Sequence, residues 1–307
     1  MKTAKYLLCI LAVALFASCK KAPAGQPGTS DDPTPSTQSD DPATPSDEPV
    51  PETGLKPWDD GTPAVDPAKG VRGYIPYKKD GKTGKATLVS INAIEVTVGA
   101  DGYISSAGVC SFTDGEYVYE DGSVSFSLGS NGLVEKYKET ASWEGVVNSK
   151  ELVFSYDKDN RIVSVEATET SVAQGQSTPM MSISVTATLV WEDGLLKEIA
   201  MTSSDFSSKR TFLYDGEYPN PLGIMPSPII SSIFKEGSKA FSAGNNLILD
   251  VLCLVGGLGV APEEFPTSSS YILQGSQTPS DTGYYIEFDE TTGAIPTKEN
   301  TTDFEWK

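Results

Sequence analysis

The chain contains no histidine among its 307 residues, and that one absence removes a large block of chemistry. Without an imidazole there is no Ser-His-Asp triad, no Cys-His nucleophile pair and no His-ligated zinc. Basic residues are scarce as well: 23 Lys and Arg stand against 42 Asp and Glu, for a formal net charge of −19. No cluster of Lys or Arg offsets this charge, so nucleic acid is excluded as a partner. Long apolar runs are missing too. Tyr6 to Phe16 and Leu247 to Val260 are each too short to span a bilayer, and the second contains Asp250.

Cysteine is nearly absent, and its few positions carry meaning. Lys2 and Lys5 precede the apolar run that ends at Phe16, and Phe16-Ala17-Ser18-Cys19 follows. That order is a secretory signal. The tetrapeptide resembles the bacterial lipobox, with Phe16 where an aliphatic residue is usual, and it implies acylation of Cys19 after removal of residues 1–18. The expected address is the outer membrane, lipid-anchored, with the cell surface and the periplasmic face both open. Cys9 leaves with the signal. Cys110 and Cys253 remain, read as two buried thiols, with a disulfide between them left open because pairing needs a closeness that spacing cannot show.

Residues 19–60 read as the lipidated cysteine and a stalk rich in Pro, Ser, Thr and Asp, with nine acids against three lysines between Lys20 and Asp60. Too few apolar residues are present to bury anything there, and prolines with like charges favour an extended chain. From residue 61 onward the pattern becomes β. Met181, Ile183, Val185, Ala187, Leu189 and Trp191 alternate with Ser182, Ser184, Thr186, Thr188 and Val190; Val124, Phe126 and Leu128 alternate with serines. Such alternation puts one face on a core and a hydroxyl-rich face toward water. Val89, Ile91 and Ala93 hold one phase and Ile94, Val96 and Val98 the other, which predicts a β-bulge near Ala93.

Turn signals recur at Asp80-Gly81, Asp101-Gly102, Asp114-Gly115, Asp121-Gly122, Asn131-Gly132, Asp159-Asn160, Asp193-Gly194 and Thr292-Gly293. The expected fold is mainly all-β: one large antiparallel meander sheet over 61–307, curved or partly barrel-like. A short helical or irregular plug is expected near 221–262, within which Pro228–Phe241 and Leu247–Val255 look helical.

Four segments share one plan: FSLGSNGLVEKY from Phe126, FSYDKDNRIVSVE from Phe154, LVWEDGLLKEIA from Leu189 and IEFDETTGAIPTK from Ile286. An aromatic or leucine ends one strand, a turn follows, and an aliphatic reopens on the same face. These segments resemble tyrosine-aspartate-type hairpin repeats. Taken with the lipobox, the stalk, Phe212-Leu213-Tyr214, Tyr218-Pro219-Asn220-Pro221 and Tyr284-Tyr285-Ile286-Glu287-Phe288, the chain from about Ala86 to Lys307 resembles a Bacteroidetes lipoprotein family of unknown function with a porin-like fold. The resemblance implies no activity, no cofactor and no catalytic residues. A membrane barrel is the weaker reading of that fold, since Leu133 to Glu139 is too charged to face lipid.

Several motifs tempt toward chemistry and fall short. Gly81-Lys82-Thr83 lacks the first glycine of a phosphate loop. Ser232-Ile233-Phe234-Lys235 and Lys82-Thr83-Gly84 stand in the reverse of the order used by penicillin-recognising enzymes. Asp157-Lys158-Asp159-Asn160 opens like a calcium loop, but Arg161 and the lack of a twelfth-position Glu break it. Metal and catalytic sites are therefore not expected. The candidate site residues are aromatics able to stack on sugar rings: Trp143, Trp191, Tyr117, Tyr119, Tyr284 and Tyr285. The expected function is a non-enzymatic binding or interaction module on the outer membrane, taking a glycan or an envelope protein as partner. The alternatives are a structural component of an envelope complex, and a carboxylate-based glycoside hydrolase.

Overall fold

The computed structural model describes residues 54–307, apart from 109, 227, 228, 230–246, 277, 291 and 301. The signal segment, Cys19 and most of the stalk lie outside the described residues, as do Ser232–Lys235 and nearly all of Pro228–Phe241. The first strands are β1 (Leu55–Pro57), β2 (Val65–Asp66), β3 (Gly70–Val71), β4 (Tyr74–Lys79), β5 (Lys82–Ile91), β6 (Ile94–Val98) and β7 (Ile104–Ala107). Next come β8 (Cys110–Thr113), β9 (Glu116–Val118), β10 (Gly122–Leu128), β11 (Val134–Trp143), β12 (Val146–Tyr156), β13 (Ile162–Ala173) and β14 (Met181–Glu192). β15 (Leu195–Ser203) and β16 (Ser207–Leu213) precede the helix α1 (Leu247–Leu254). The chain ends with β17 (Ser268–Leu273), β18 (Ser280–Gly283), β19 (Ile286–Phe288), β20 (Pro296–Glu299) and β21 (Thr302–Trp306).

All strands except the β2–β3 hairpin join one nineteen-stranded antiparallel sheet, built almost wholly from sequential hairpins. β21 returns to pair with β5, which brings the two ends of the meander together. The sheet is not closed into a barrel. Its ladder is interrupted between β18 and β19, where Tyr284 N–H donates to Thr267 O while Asn300 N–H donates to Tyr285 O.

Each of the eight turn signals lies at a reversal, and seven carry positive φ, at Asp80, Gly81, Gly102, Asp114, Gly115, Gly132, Asn160, Asp193, Gly194 and Gly293; in the eighth, Asp121-Gly122, Gly122 already opens β10. The phase flip at Ala93 is a correction to the expected bulge. Asn92 (φ 49°) and Ala93 (φ 63°) form a two-residue turn between β5 and β6, so the phase changes because the chain reverses.

The four repeat segments are the hairpins β10–β11, β12–β13, β14–β15 and β19–β20. In every one the register slips between the second and third residues of the unit: Ser127/Leu128, Ser155/Tyr156, Val190/Trp191 and Glu287/Phe288. A bulge of this kind adds local twist and re-aims the next side chain. Two of the residues so placed, Tyr156 and Trp191, reach the preceding hairpin, and Tyr214 and Trp306 make the same kind of bond. Tyr156 Oη donates to Val134 O at 2.6 Å and Trp191 Nε1 to Ile162 O at 2.7 Å. Tyr214 Oη donates to Leu196 O and Trp306 Nε1 to Pro296 O, both at 2.8 Å. Val134, Ile162 and Pro296 are the first residues of β11, β13 and β20, and Leu196 is the second of β15.

These turns lie at one end of the sheet, which the chain seals. Val134 N–H donates to Gly257 O, Val260 N–H to Asn160 O and Glu263 N–H to Gly194 O, so residues 257–263 run beneath three successive hairpins. Gly259 (φ +89°) must be glycine there, because a Cβ would lie 2.3 Å from Asn160 O. Asn220 holds this strap from inside. Its amide donates to the carbonyls of Ile224 and Pro262, both at 2.7 Å, and its Oδ1 accepts from Ile224 N–H. Above the strap sits the main core, with Leu152, Phe154, Ile162, Leu189, Leu196 and Ile199 against seven buried residues of α1. The helical part of the expected plug is thus present at 247–254.

The outer face is the opposite in character. Ser182, Ser184, Thr186 and Thr188 are exposed along β14, and the ion pairs Lys136–Glu151 and Lys209–Glu198 cross neighbouring strands. A membrane barrel turns apolar residues outward. Along β14 Val185, Ala187 and Leu189 turn inward and the hydroxyl-bearing residues outward, with Val190 the exposed exception.

The chain enters at the sealed end. Gly54 and Asp80 are joined by hydrogen bonds, and Leu55 pairs with Lys79 beside the β4–β5 turn. Asp60 then fastens the segment to the sheet, accepting from Thr62 N–H at 3.0 Å and from Tyr74 Oη and Lys85 Nζ, both at 2.7 Å. Desolvation pushes the Asp60 carboxyl up, but the bonds from Lys85, Tyr74 and Thr62 outweigh it and hold it well below the usual carboxylate range.

Two predictions follow from these contacts. Tyr156→Phe and Tyr214→Phe each delete one hairpin-to-hairpin bond and should cost ~1 kcal/mol, additively in the double variant, by urea denaturation. Asp60→Asn should lower Tm at neutral pH. Because the folded-state pKa is depressed, the contribution is complete above the unfolded value of ~3.9, and it fades as pH falls below that value. The melting curves of variant and parent should therefore converge toward acid.

Candidate functional site

The end of the sheet opposite the strap carries the turns of β9–β10, β11–β12, β13–β14, β15–β16 and β17–β18, and its inward-facing side chains change character row by row. The register aligns Tyr137, Leu152, Ala167 and Val185 in an apolar row across β11 to β14. One step toward the open end, Glu139, Lys150, Glu169 and Ile183 lie side by side. The next row is Ala141, Asn148, Ser171 and Met181, and Trp143, Val146 and Ala173 form the rim.

The charged row is buried, with Glu139, Lys150 and Glu169 each less than a tenth exposed. Burial pushes the Glu139 carboxyl up, with Lys150 and a 3.3 Å bond from Tyr137 Oη opposing. Burial pushes the Lys150 ammonium down, with Glu139, Glu169 and Asp250 of α1 opposing. Glu139 and Glu169 stand about 10 Å apart by strand spacing. They lie along one sheet with Lys150 between them, not across a cleft, which is not the layout of a glycosidase pair. Above them, the buried Ser171 donates its Oγ–H to Asn148 Oδ1 at 2.6 Å, and Asn148 is half-buried.

Trp143 crowns this face and is 70 % exposed. The other aromatic candidates lie elsewhere. Tyr117 is fully buried: its Oη accepts from Val71 N–H and donates to Ile104 O, so no ring face reaches solvent. Tyr119 is half-buried near the Cys110 thiol. Trp191 is spent in the hairpin link, with the Arg161 guanidinium 5.7 Å from its ring. Tyr284 is half-buried, bonded to Ser269 Oγ at 2.6 Å and to Arg210 at 3.2 Å. Tyr285 is 52 % exposed, but it sits beyond β18, seven strands along the sheet from β11. The structure therefore does not gather the six into one surface.

Other motifs resolve locally. The Asp157 carboxylate accepts from the Arg161 backbone and side chain and from Asp159 N–H, which makes the calcium-like sequence a closed hairpin turn. Cys110 and Cys253 are both free and buried, and burial raises both thiols above their ordinary range.

No family model matches the chain, and no curated protein matches it either. Solved structures similar to it include two porin-like proteins. A porin-like protein from Bacteroides vulgatus ATCC 8482 has 12 % identity and a TM-score of 0.49, over 72 % of this chain and 98 % of its own. A porin-like protein from Bacteroides uniformis ATCC 8492 has 10 % identity and a TM-score of 0.41, over 76 % and 82 %. Likeness at this level carries no argument about this chain, and the reading below rests on its own residues.

The charged row makes an ordered prediction. Lys150→Met leaves Glu139, Glu169 and Asp250 without the cation between them and should cost about 3–5 kcal/mol. Glu139→Gln removes a charge that burial already disfavours and should cost clearly less. Urea denaturation of the two variants at neutral pH gives the order.

Proposed function

We propose that this chain is a non-enzymatic binding module of the bacterial outer membrane, anchored through lipid on Cys19, and that the rim around Trp143 takes a carbohydrate. The observation that carries this is Trp143. An aromatic side chain that large is seldom left 70 % exposed at the rim of a face whose next row holds a half-buried amide, Asn148. A sugar ring presents an apolar C–H face to stack on such a ring and hydroxyls to reach the Asn148 amide. The acid-rich composition favours a neutral or amine-bearing glycan over a sulfated one. The residues ahead of 54 supply the address, through the Phe16-Ala17-Ser18-Cys19 sequence and the proline-rich, acidic sequence that follows it.

The test is a glycan array on residues 54–307, followed by calorimetry on each hit. Trp143→Ala should weaken binding at least tenfold with Tm unchanged, and Trp143→Phe should retain part of the affinity. Equal binding by Trp143→Ala would remove the site. An array without hits would leave a structural role in an envelope complex as the better reading.

A further inference from the structure

The β17–β18 hairpin stands apart from the rest of the sheet. Every described residue from Ile272 to Gly283 is exposed, and so both faces of β18 meet solvent. β18 pairs with β17 alone among the described residues. The strands nearest its other edge are short: β19, β20 and β21 have three, four and five residues, against nine to twelve in β11 to β15. Above the β20–β21 turn, where Asn300 bonds to Tyr285, the edge of β18 borders a notch in the rim.

The register says which groups face that notch. Gln274 N–H donates to Ser207 O and Tyr284 N–H to Thr267 O, each in register with its ladder. By alternation, Ser280 and Thr282 exchange backbone bonds with β17, while the N–H and C=O of Asp281 and Gly283 point outward. Edge strands are normally blunted by shortness, charge, proline, a bulge or a covering segment. β18 is four residues long, with Asp281 as its one charge and Pro279 just before it, but it has no bulge, and its exposure shows that no described residue covers it.

We propose that the free edge of β18 accepts an extended peptide as an added antiparallel strand, and that this strand is basic. Main-chain pairing supplies the recognition. Charge selects the partner: Asp281 lies on the edge, and the chain carries a formal charge of −19, so a Lys- or Arg-bearing strand is attracted and a second copy of this chain is repelled. The site is separate from the rim around Trp143 and does not depend on the carbohydrate reading.

The probe is a fluorescein-labelled eight-residue peptide alternating lysine and valine, followed by anisotropy on residues 54–307. Saturable binding is expected. Asp281→Pro removes an outward N–H that serves no ladder bond, so Tm should hold while affinity falls at least tenfold. Gly283→Pro serves the same purpose should Asp281→Pro lower Tm. Asp281→Asn keeps the N–H and should cost about threefold or less, the share of one exposed charge. A peptide N-methylated at alternate amides should fail to bind. Four results would overturn the proposal: no binding; both proline variants binding like the parent; the N-methylated peptide or a glutamate-valine peptide binding equally well; or light scattering showing a dimer that either proline variant dissociates, which would make a second copy the occupant.

Discussion

Everything in this sheet depends on how one hairpin is joined to the next at the sealed end. Backbone ladders alone would let neighbouring hairpins slip, because register in a sheet is specified only where side chains enforce it. Here a bulge turns an aromatic across the seam, and its polar tip takes the carbonyl of the residue that reopens the previous hairpin, as Tyr156 does with Val134 and Trp191 with Ile162. One side chain thus does two jobs. Its ring adds apolar area to the core, and its hydrogen bond sets the step between units. The strap at 257–263 then caps the turns themselves.

Upward from that seam, the interior passes from apolar packing to buried charge and then to an open polar row. The charged row is costly to bury, and its compensation lies in mutual pairing across β11, β12 and β13 with Asp250 facing it. We read it as the floor that separates a stabilising core from a recognising mouth.

Much of this was legible in the sequence, and the remainder was hidden for physical reasons. The turns were readable because Asp-Gly and Asn-Gly supply the positive φ that hairpins need. Asn92-Ala93 escaped because alanine gives no such signal, and a reversal and a bulge leave the same phase change in a hydrophobic pattern. The repeat was visible as a pattern, but its meaning lay in the register slip, which only pairing reveals. Among the aromatics, Tyr117 and Trp143 look alike in a strand; burial distinguishes them, and burial is a property of the neighbours. The charged row could have been found by continuing the period-two count from Leu152 and Phe154 down to Lys150, and from Val165 and Ala167 up to Glu169.

The way the chain enters the sheet has a mechanical consequence. β1 begins at the tip of the β4–β5 hairpin and runs inward along β4, from Leu55 opposite Lys79 to Pro57 opposite Tyr77. Tension applied from the residues before it would act along the strand, so its bonds would be loaded together in shear and not peeled one by one. The Asp60 contacts come next in line. A molecule gripped there would be held at the end of the sheet remote from Trp143, with the load passing first through β1 and the Asp60 contacts.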